Sequence, residues 1–183
     1  YLSDPYYMTP EMITDLGRSG HEIGSHGMLH TSLVQSSPSQ LMSELTTSRD
    51  ALTNITGFMP TDFASPFGEY NAESLAAIQQ YYSSHRSVNT GFNSRENFER
   101  YAIKVQNVTS ATTTLELSTW VTQANQQRTW LVLVYHAVDP STANDPDYNT
   151  TPTELGSHLE VIRNSGITVS TVNQALAEIT PQL

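Results

Sequence analysis

Apolar positions recur along this chain in two rhythms, and the rhythms alternate. Met12, Ile13 and Leu16 share one helical face behind Thr9-Pro10-Glu11, where Thr9 is placed to cap the helix and Pro10 suits its first turn. Gly20 ends that helix, and His21-Glu22-Ile23 predicts a very short strand. Ser37-Pro38-Ser39-Gln40 has the spacing of a capping box. Leu41, Leu45, Ala51, Leu52 and Ile55 follow at helical intervals until Gly57. Asp62-Phe63-Ala64 predicts a strand, Ala72 to Tyr82 a helix, and Ser87-Val88-Asn89 a strand again. Ala102 to Val108 alternates as a strand does, and Leu115 to Gln126 is an amphipathic helix. Trp130 to Tyr135 is apolar on both faces, which predicts a buried parallel strand. Thr151-Pro152-Thr153-Glu154 opens a capped helix that ends at Gly166, ahead of Ile167-Thr168-Val169, and Val172 to Ile179 is the last helix. Strand and helix in alternation call for an α/β fold, a parallel sheet covered by helices, open or barrel-shaped. No repeat or linker breaks the order, so residues 1–183 read as one domain.

Composition narrows the function classes. The net charge is −10, from 18 acids against 8 bases, and Lys104 is the sole lysine. Such a chain has nothing to neutralise a row of phosphates, which argues against nucleic acid and against an anionic membrane surface. No apolar run approaches the ~18 residues of a membrane span. Cysteine is absent, which removes disulfides, thiolate zinc sites and thiol nucleophiles together. Few charges with abundant Ser, Thr, Asn and Gln suggest a secreted protein. Tyr1-Leu2-Ser3-Asp4-Pro5 does not read as a basic-and-apolar leader, which is compatible with a mature product cut from a longer precursor. Sequons at Asn54, Asn107 and Asn149 occur about as often as chance supplies.

Three clusters could do chemistry. His21 to His30 holds three of the six histidines, and His26 and His30 stand four apart directly after a predicted strand. Two neutral imidazoles at that spacing can grip a borderline cation, and Gly24 and Gly27 allow the tight backbone. The bland alternative is a partly buried loop. His136 ends the most apolar segment and could pass a proton near neutral pH, or equally be a hydrogen-bonded core histidine. Ser65-Pro66-Phe67-Gly68 is a rigid turn after a strand, able to aim backbone N–H groups at an oxyanion. Ser65 lacks a G-x-S-x-G elbow and is a poor nucleophile candidate.

In this order the segments resemble the NodB-like polysaccharide deacetylases of carbohydrate esterase family four, from about Thr9 to the C-terminus. Gly20 to His26 with His30 looks like the family's H-x-x-x-H segment, and Phe63 to Asn71 like its R-x-P-x-G turn. Val134-Tyr135-His136 is similar to its late L-x-H segment, and Arg86 to Asn93 falls where a middle motif is expected. The resemblance implies an incomplete or distorted (β/α) barrel, with parallel strands and outer helices. It also implies a divalent metal, zinc first and cobalt or manganese as alternatives, on His26, His30 and one aspartate. The metal would polarise an N-acetyl carbonyl and activate water. A backbone N–H in the Pro66-Phe67-Gly68 turn would hold the oxyanion, and His136 would protonate the leaving amine. The substrate class is an N-acetylated polysaccharide or oligosaccharide such as chitin, and the products are acetate and an amino sugar.

The departures from that pattern carry expectations of their own. The family's T-F-D-D-G segment, which supplies both aspartates, lies upstream of where this chain begins, and no Asp-Asp pair occurs in it. Asp4 is the nearest substitute ligand by position. Ala64 stands where the family's turn has arginine. Without the first strand and helix the sheet would carry an exposed edge, for a partner chain or a homo-oligomer to cover. The alternative function is a non-catalytic, deacetylase-like carbohydrate-binding or scaffold protein.

Overall fold

The structure, a computed structural model, describes residues 7–141 and 145–183. Four strands stand side by side in sequence order: β1 (Asp62–Ala64), β2 (Ser84–Thr90), β3 (Ile103–Asn107) and β4 (Leu133–Val134). β1 runs parallel to β2, and β3 to β4. The chain divides into two compact units. The first runs through Ser87 and adds Arg100–Ile103 and Ser170–Gln182; the second comprises Val88–Glu99 and Lys104–Val169. No helix among the described residues is long and apolar enough to cross a membrane.

In the first unit, local chemistry sets the helix ends. Helix α1 (Pro10–Arg18) starts where the Thr9 hydroxyl accepts from the Met12 N–H. Helix α2 (Pro38–Thr56) starts at the Ser37–Gln40 capping box and stops at Gly57, whose φ of 79° only glycine adopts without strain. Leu41 and Leu45 of α2 pack with Leu33, Phe63, Ala77, Ile78 and Tyr82 into one buried core beneath α2 and α3 (Ala72–Tyr81). Burying each leucine, isoleucine or phenylalanine of this core contributes about 1.5–3 kcal/mol. Helices α3 and α6 (Val172–Ile179) open on further boxes, Asn71 with Ser74 and Thr171 with Gln174.

The strand expected at His21-Glu22-Ile23 does not form. The His21 N–H still closes α1 on the Leu16 carbonyl, and the Glu22 carboxylate accepts from the Asn173 N–H at the start of α6. The segment meets the sheet two residues later, in a single parallel bridge of Ser25 to Phe63. There the Ser25 N–H donates to Asp62 O and the Ala64 N–H to Ser25 O, both at 2.9 Å.

The second unit is built on α4 (Thr114–Gln127) and α5 (Pro152–Ser165), with Leu117, Val121 and Ala124 of α4 and His158 of α5 buried. The expected buried strand is shorter and less covered. Only Leu133–Val134 is ladder, and Trp130 to Tyr135 are all half-buried, because β4 ends the sheet and has a neighbour on one side alone. Trp130 exchanges both backbone hydrogen bonds with Asn93 in an isolated antiparallel bridge. A parallel pair, β5 (Ala137–Val138) with β6 (Asn149–Thr150), follows directly and was not foreseen. Asn149 is 2 % exposed. Its amide Nδ2 donates to Asp139 O at 2.9 Å, while its Oδ1 accepts from the Asp139 N–H at 3.1 Å.

Candidate active site

Beyond the Ser25 bridge the chain turns out of the sheet at the carboxyl end of β1, where a parallel strand leaves its last polar groups to loops. His26 donates from Nδ1 to the Ala64 carbonyl at 2.8 Å. A carbonyl can only accept, so the proton sits on Nδ1 and the lone pair on Nε2, the arrangement metal-binding imidazoles take. His30 adopts φ 56°, a left-handed backbone that costs a β-carbon some strain. That turn brings its ring edge-on to His26, with centroids 4.9 Å apart at 70°. A zinc–nitrogen bond of about 2.0–2.1 Å puts each ring centre about 3 Å from the ion, so two rings on one tetrahedral ion stand about 5 Å apart. The imidazole pair meets that test. No group of three or more histidines, aspartates or glutamates placed to hold a metal occurs among the described residues. Asp4 lies outside them.

The loop between the two histidines rests on a residue that pattern reading passed over. Glu44 of α2 is 5 % exposed, and its Oε2 accepts from the N–H groups of Met28 at 2.8 Å and Leu29 at 3.0 Å. Two charge-assisted bonds to consecutive amides hold the loop as a helix-capping carboxylate would. Gly27, at φ 81°, has no room for a side chain: a β-carbon would lie 2.9 Å from Glu44 Oε2 and 3.5 Å from Pro66 Cγ. The signal was present in the sequence, since Leu41, Glu44, Leu45 and Ser48 form one helical stripe and a carboxylate inside an apolar stripe needs a partner.

Pro66–Gly68 form one turn of 3-10 helix directly after β1. The Gly68 and Glu69 N–H groups close back on Ser65 and Pro66, and the turn's own bonds do not use that of Phe67. Phe67 is held at φ 58°, is 64 % exposed, and meets the His30 ring edge-on at 4.7 Å. The turn is anchored from below. Ser65 donates to His85 Nε2 at 2.8 Å, and His85 donates from Nδ1 to Tyr101 O at 2.8 Å. Burial pushes the His85 imidazole down to about 4, so it stays neutral and can accept from the serine. Ser65 is buried and committed to that bond, which agrees with its poor standing as a nucleophile. Glu69 binds the Ser32 hydroxyl and ties the far end of the turn to the segment after His30.

His26, His30 and the Pro66-Phe67-Gly68 turn therefore come together in the first unit. His136 belongs to the second, between β4 and β5, where its exposed ring stands 4.7 Å from that of Tyr148.

Comparison with known proteins fits this arrangement. The polysaccharide deacetylase family model matches residues 3–83. A chitin deacetylase of Pestalotiopsis sp is 32% identical over 72 residues, which is 39% of this chain and 24% of that protein. The chain thus spans about a quarter of that relative's length. Among solved structures, a candidate polysaccharide deacetylase from Mycobacterium smegmatis superposes with a TM-score of 0.64 at 18% identity, over 94% of this chain and 68% of the other. A family 4 carbohydrate esterase from Streptomyces lividans, in complex with acetate, gives 0.58 at 17%, over 89% and 71%. Residues 3–83 are thus similar in sequence to the polysaccharide deacetylase family, and the chain shares the α/β fold of parallel strands and outer helices seen in those solved structures.

Proposed function

We propose that this protein removes N-acetyl groups from a chitin-like polysaccharide, with His26 and His30 holding a divalent metal, zinc first. The observation that carries the reading is the His26–His30 pair, with the Nδ1 proton of His26 committed to the Ala64 carbonyl and the rings at the separation one cation requires. A bound divalent ion would supply Lewis-acid polarisation of the acetyl carbonyl and a water of lowered pKa. The chain's own groups do the rest. The Phe67 N–H, which the turn leaves unused, donates to the oxygen that gains charge as the carbonyl carbon becomes tetrahedral. The exposed Phe67 ring offers an apolar face to a sugar. From its place in the L-x-H-like segment, His136 is assigned the proton given to the departing amine nitrogen; the attacking water loses its proton to solvent, and an amino sugar and acetate leave. Low charge and abundant hydroxyl and amide side chains support a place outside the cell.

The test is acetate release from chitin oligomers with zinc or cobalt added, comparing the natural protein with His26→Ala. Release in the natural protein and its loss in the variant are expected; equal release from both ends the reading. The second reading, a deacetylase-like carbohydrate binder, is favoured by Ala64 in the arginine position of the turn. Saturable oligomer binding with no acetate under any metal would establish it instead.

A further inference from the structure

Arg86 of β2 is paired in register with Ala64 of β1. Its neighbour His85 points to the face that carries Phe63 and Ser65, with its ring 6.4 Å from Phe63. Successive residues of a strand point to opposite faces, so Arg86 and Ala64 share the other one, two residues beyond the Asp62–Ser84 pair. Arg86 is half-buried, and burial holds its guanidinium below its ordinary pKa. Its recorded hydrogen bond, Nη1 to Ser87 O, is long at 3.4 Å. The ion pairs among the described residues join Arg18 to Asp15, Arg49 to Asp50 and Arg163 to Glu160, and leave Arg86 out. The carboxylates of Asp62, on the same strand face, and of Glu22 have hydrogen-bond partners of their own. Asp62 accepts from the hydroxyls of Ser84 and Thr61, and Glu22 from the Asn173 N–H.

A guanidinium has five donors in a planar fork, and its charge is costly to desolvate without a counter-ion. Here the residue paired with Arg86 across the ladder is Ala64, which offers it no polar side chain and also holds His26 through its carbonyl. We propose that Arg86 is a carboxylate-binding group, taking a two-oxygen anion in bidentate fashion beside Ala64 and on the strand next to the one that anchors His26. The carboxylate comes either from a small acid such as acetate or from an aspartate side chain of a polypeptide. Acetate as the first probe rests on the deacetylase reading; the binding itself does not.

The experiment is a titration of the nitrogen-15-labelled protein, followed at the Arg86 Nε–H resonance. One arm uses sodium acetate, the other N-acetyl-aspartate N-methylamide, and acetamide is the neutral control. A saturable shift with either carboxylate and none with acetamide is expected, and the arm that responds names the source. Arg86→Lys should weaken binding about tenfold or more, since a point charge replaces the fork, and Arg86→Gln should abolish it. No saturable shift with either carboxylate overturns the proposal, as does undiminished affinity in Arg86→Gln. If Arg86→Gln does not fold, the natural protein and Arg86→Lys decide the matter. No turnover is read, so a protein that binds carboxylate yet releases no acetate would fail the deacetylase reading and leave this one standing.

Discussion

The two units hold their histidines by opposite means. In the first, His26 and His30 lie on an exposed loop whose position is fixed from beneath by buried polar groups on other elements: the Glu44 carboxylate, the Ala64 carbonyl and the Ser65–His85–Tyr101 chain. In the second, His136 follows a half-buried edge strand and rests against the Tyr148 ring. The difference teaches where each can be damaged. Residues far from the first site in sequence should control it, whereas the second should respond only to its own side chain.

The largest expected effect tests the second half of that contrast. Under the proposed deacetylase reading, His136→Ala should lower kcat on chitin oligomers by about 10²–10⁴, the usual worth of a positioned general acid. Because the ring is exposed, the thermal midpoint should stay put; a fall in stability matching the loss of rate would mean that His136 is structural. Glu44→Ala comes next. It strands two N–H groups and should cost about 1.5–3 kcal/mol in urea unfolding, together with a zinc affinity reduced about 10–100-fold. Glu44→Gln keeps an acceptor and should recover most of both, and a Glu44→Ala protein with unaltered zinc affinity would separate the carboxylate from the loop. Gly27→Ala should cost about 1–2 kcal/mol, since the left-handed backbone penalises a β-carbon and the added methyl meets Glu44. The same change at Gly156, where a β-carbon meets nothing within 4 Å, is its control and should not destabilise.

The smallest effect concerns pH. Desolvation and the adjoining Asp62 carboxyl raise Glu22 to about 7 from its ordinary 4.5. A carboxyl with a raised folded pKa stabilises fully below its unfolded value and loses that contribution as the pH rises through the folded one. Stability should therefore decline between pH 5 and 8 by about 1 kcal/mol once solvent screening is allowed for. Glu22→Gln should flatten the decline, as measured by denaturant midpoints at each pH; an identical slope in the variant would remove Glu22 as its source.

What could be read from the residues was whatever is local. The Ser37–Gln40 and Thr151–Glu154 caps, the Gly57 and Gly166 stops and the extent of α6 all follow from neighbours in sequence. The misreadings at His21-Glu22-Ile23 and at Trp130 to Tyr135 share a cause. Whether a stretch joins a ladder depends on partners that only the fold supplies: here the His21 N–H closes α1, the Glu22 carboxylate accepts from α6, and β4 lies at the sheet's edge with Trp130 bridged to Asn93. Within the site, the His26–His30 spacing and the turn after β1 were legible as motifs. Their supports were not, because the partnership of Glu44 with residues 28 and 29, or of Ser65 with His85, exists only after the chain has folded.

Asn149 illustrates the same dependence from another side. It heads a glycosylation sequon, yet the nitrogen that would carry the sugar is the one donating to Asp139 beneath the surface. An oligosaccharyltransferase could reach it only before β5 and β6 close, and a glycan attached then would keep the two strands apart. In a secretory pathway folding and glycosylation would therefore compete at this asparagine, whereas Asn54, exposed on α2, would face no such conflict.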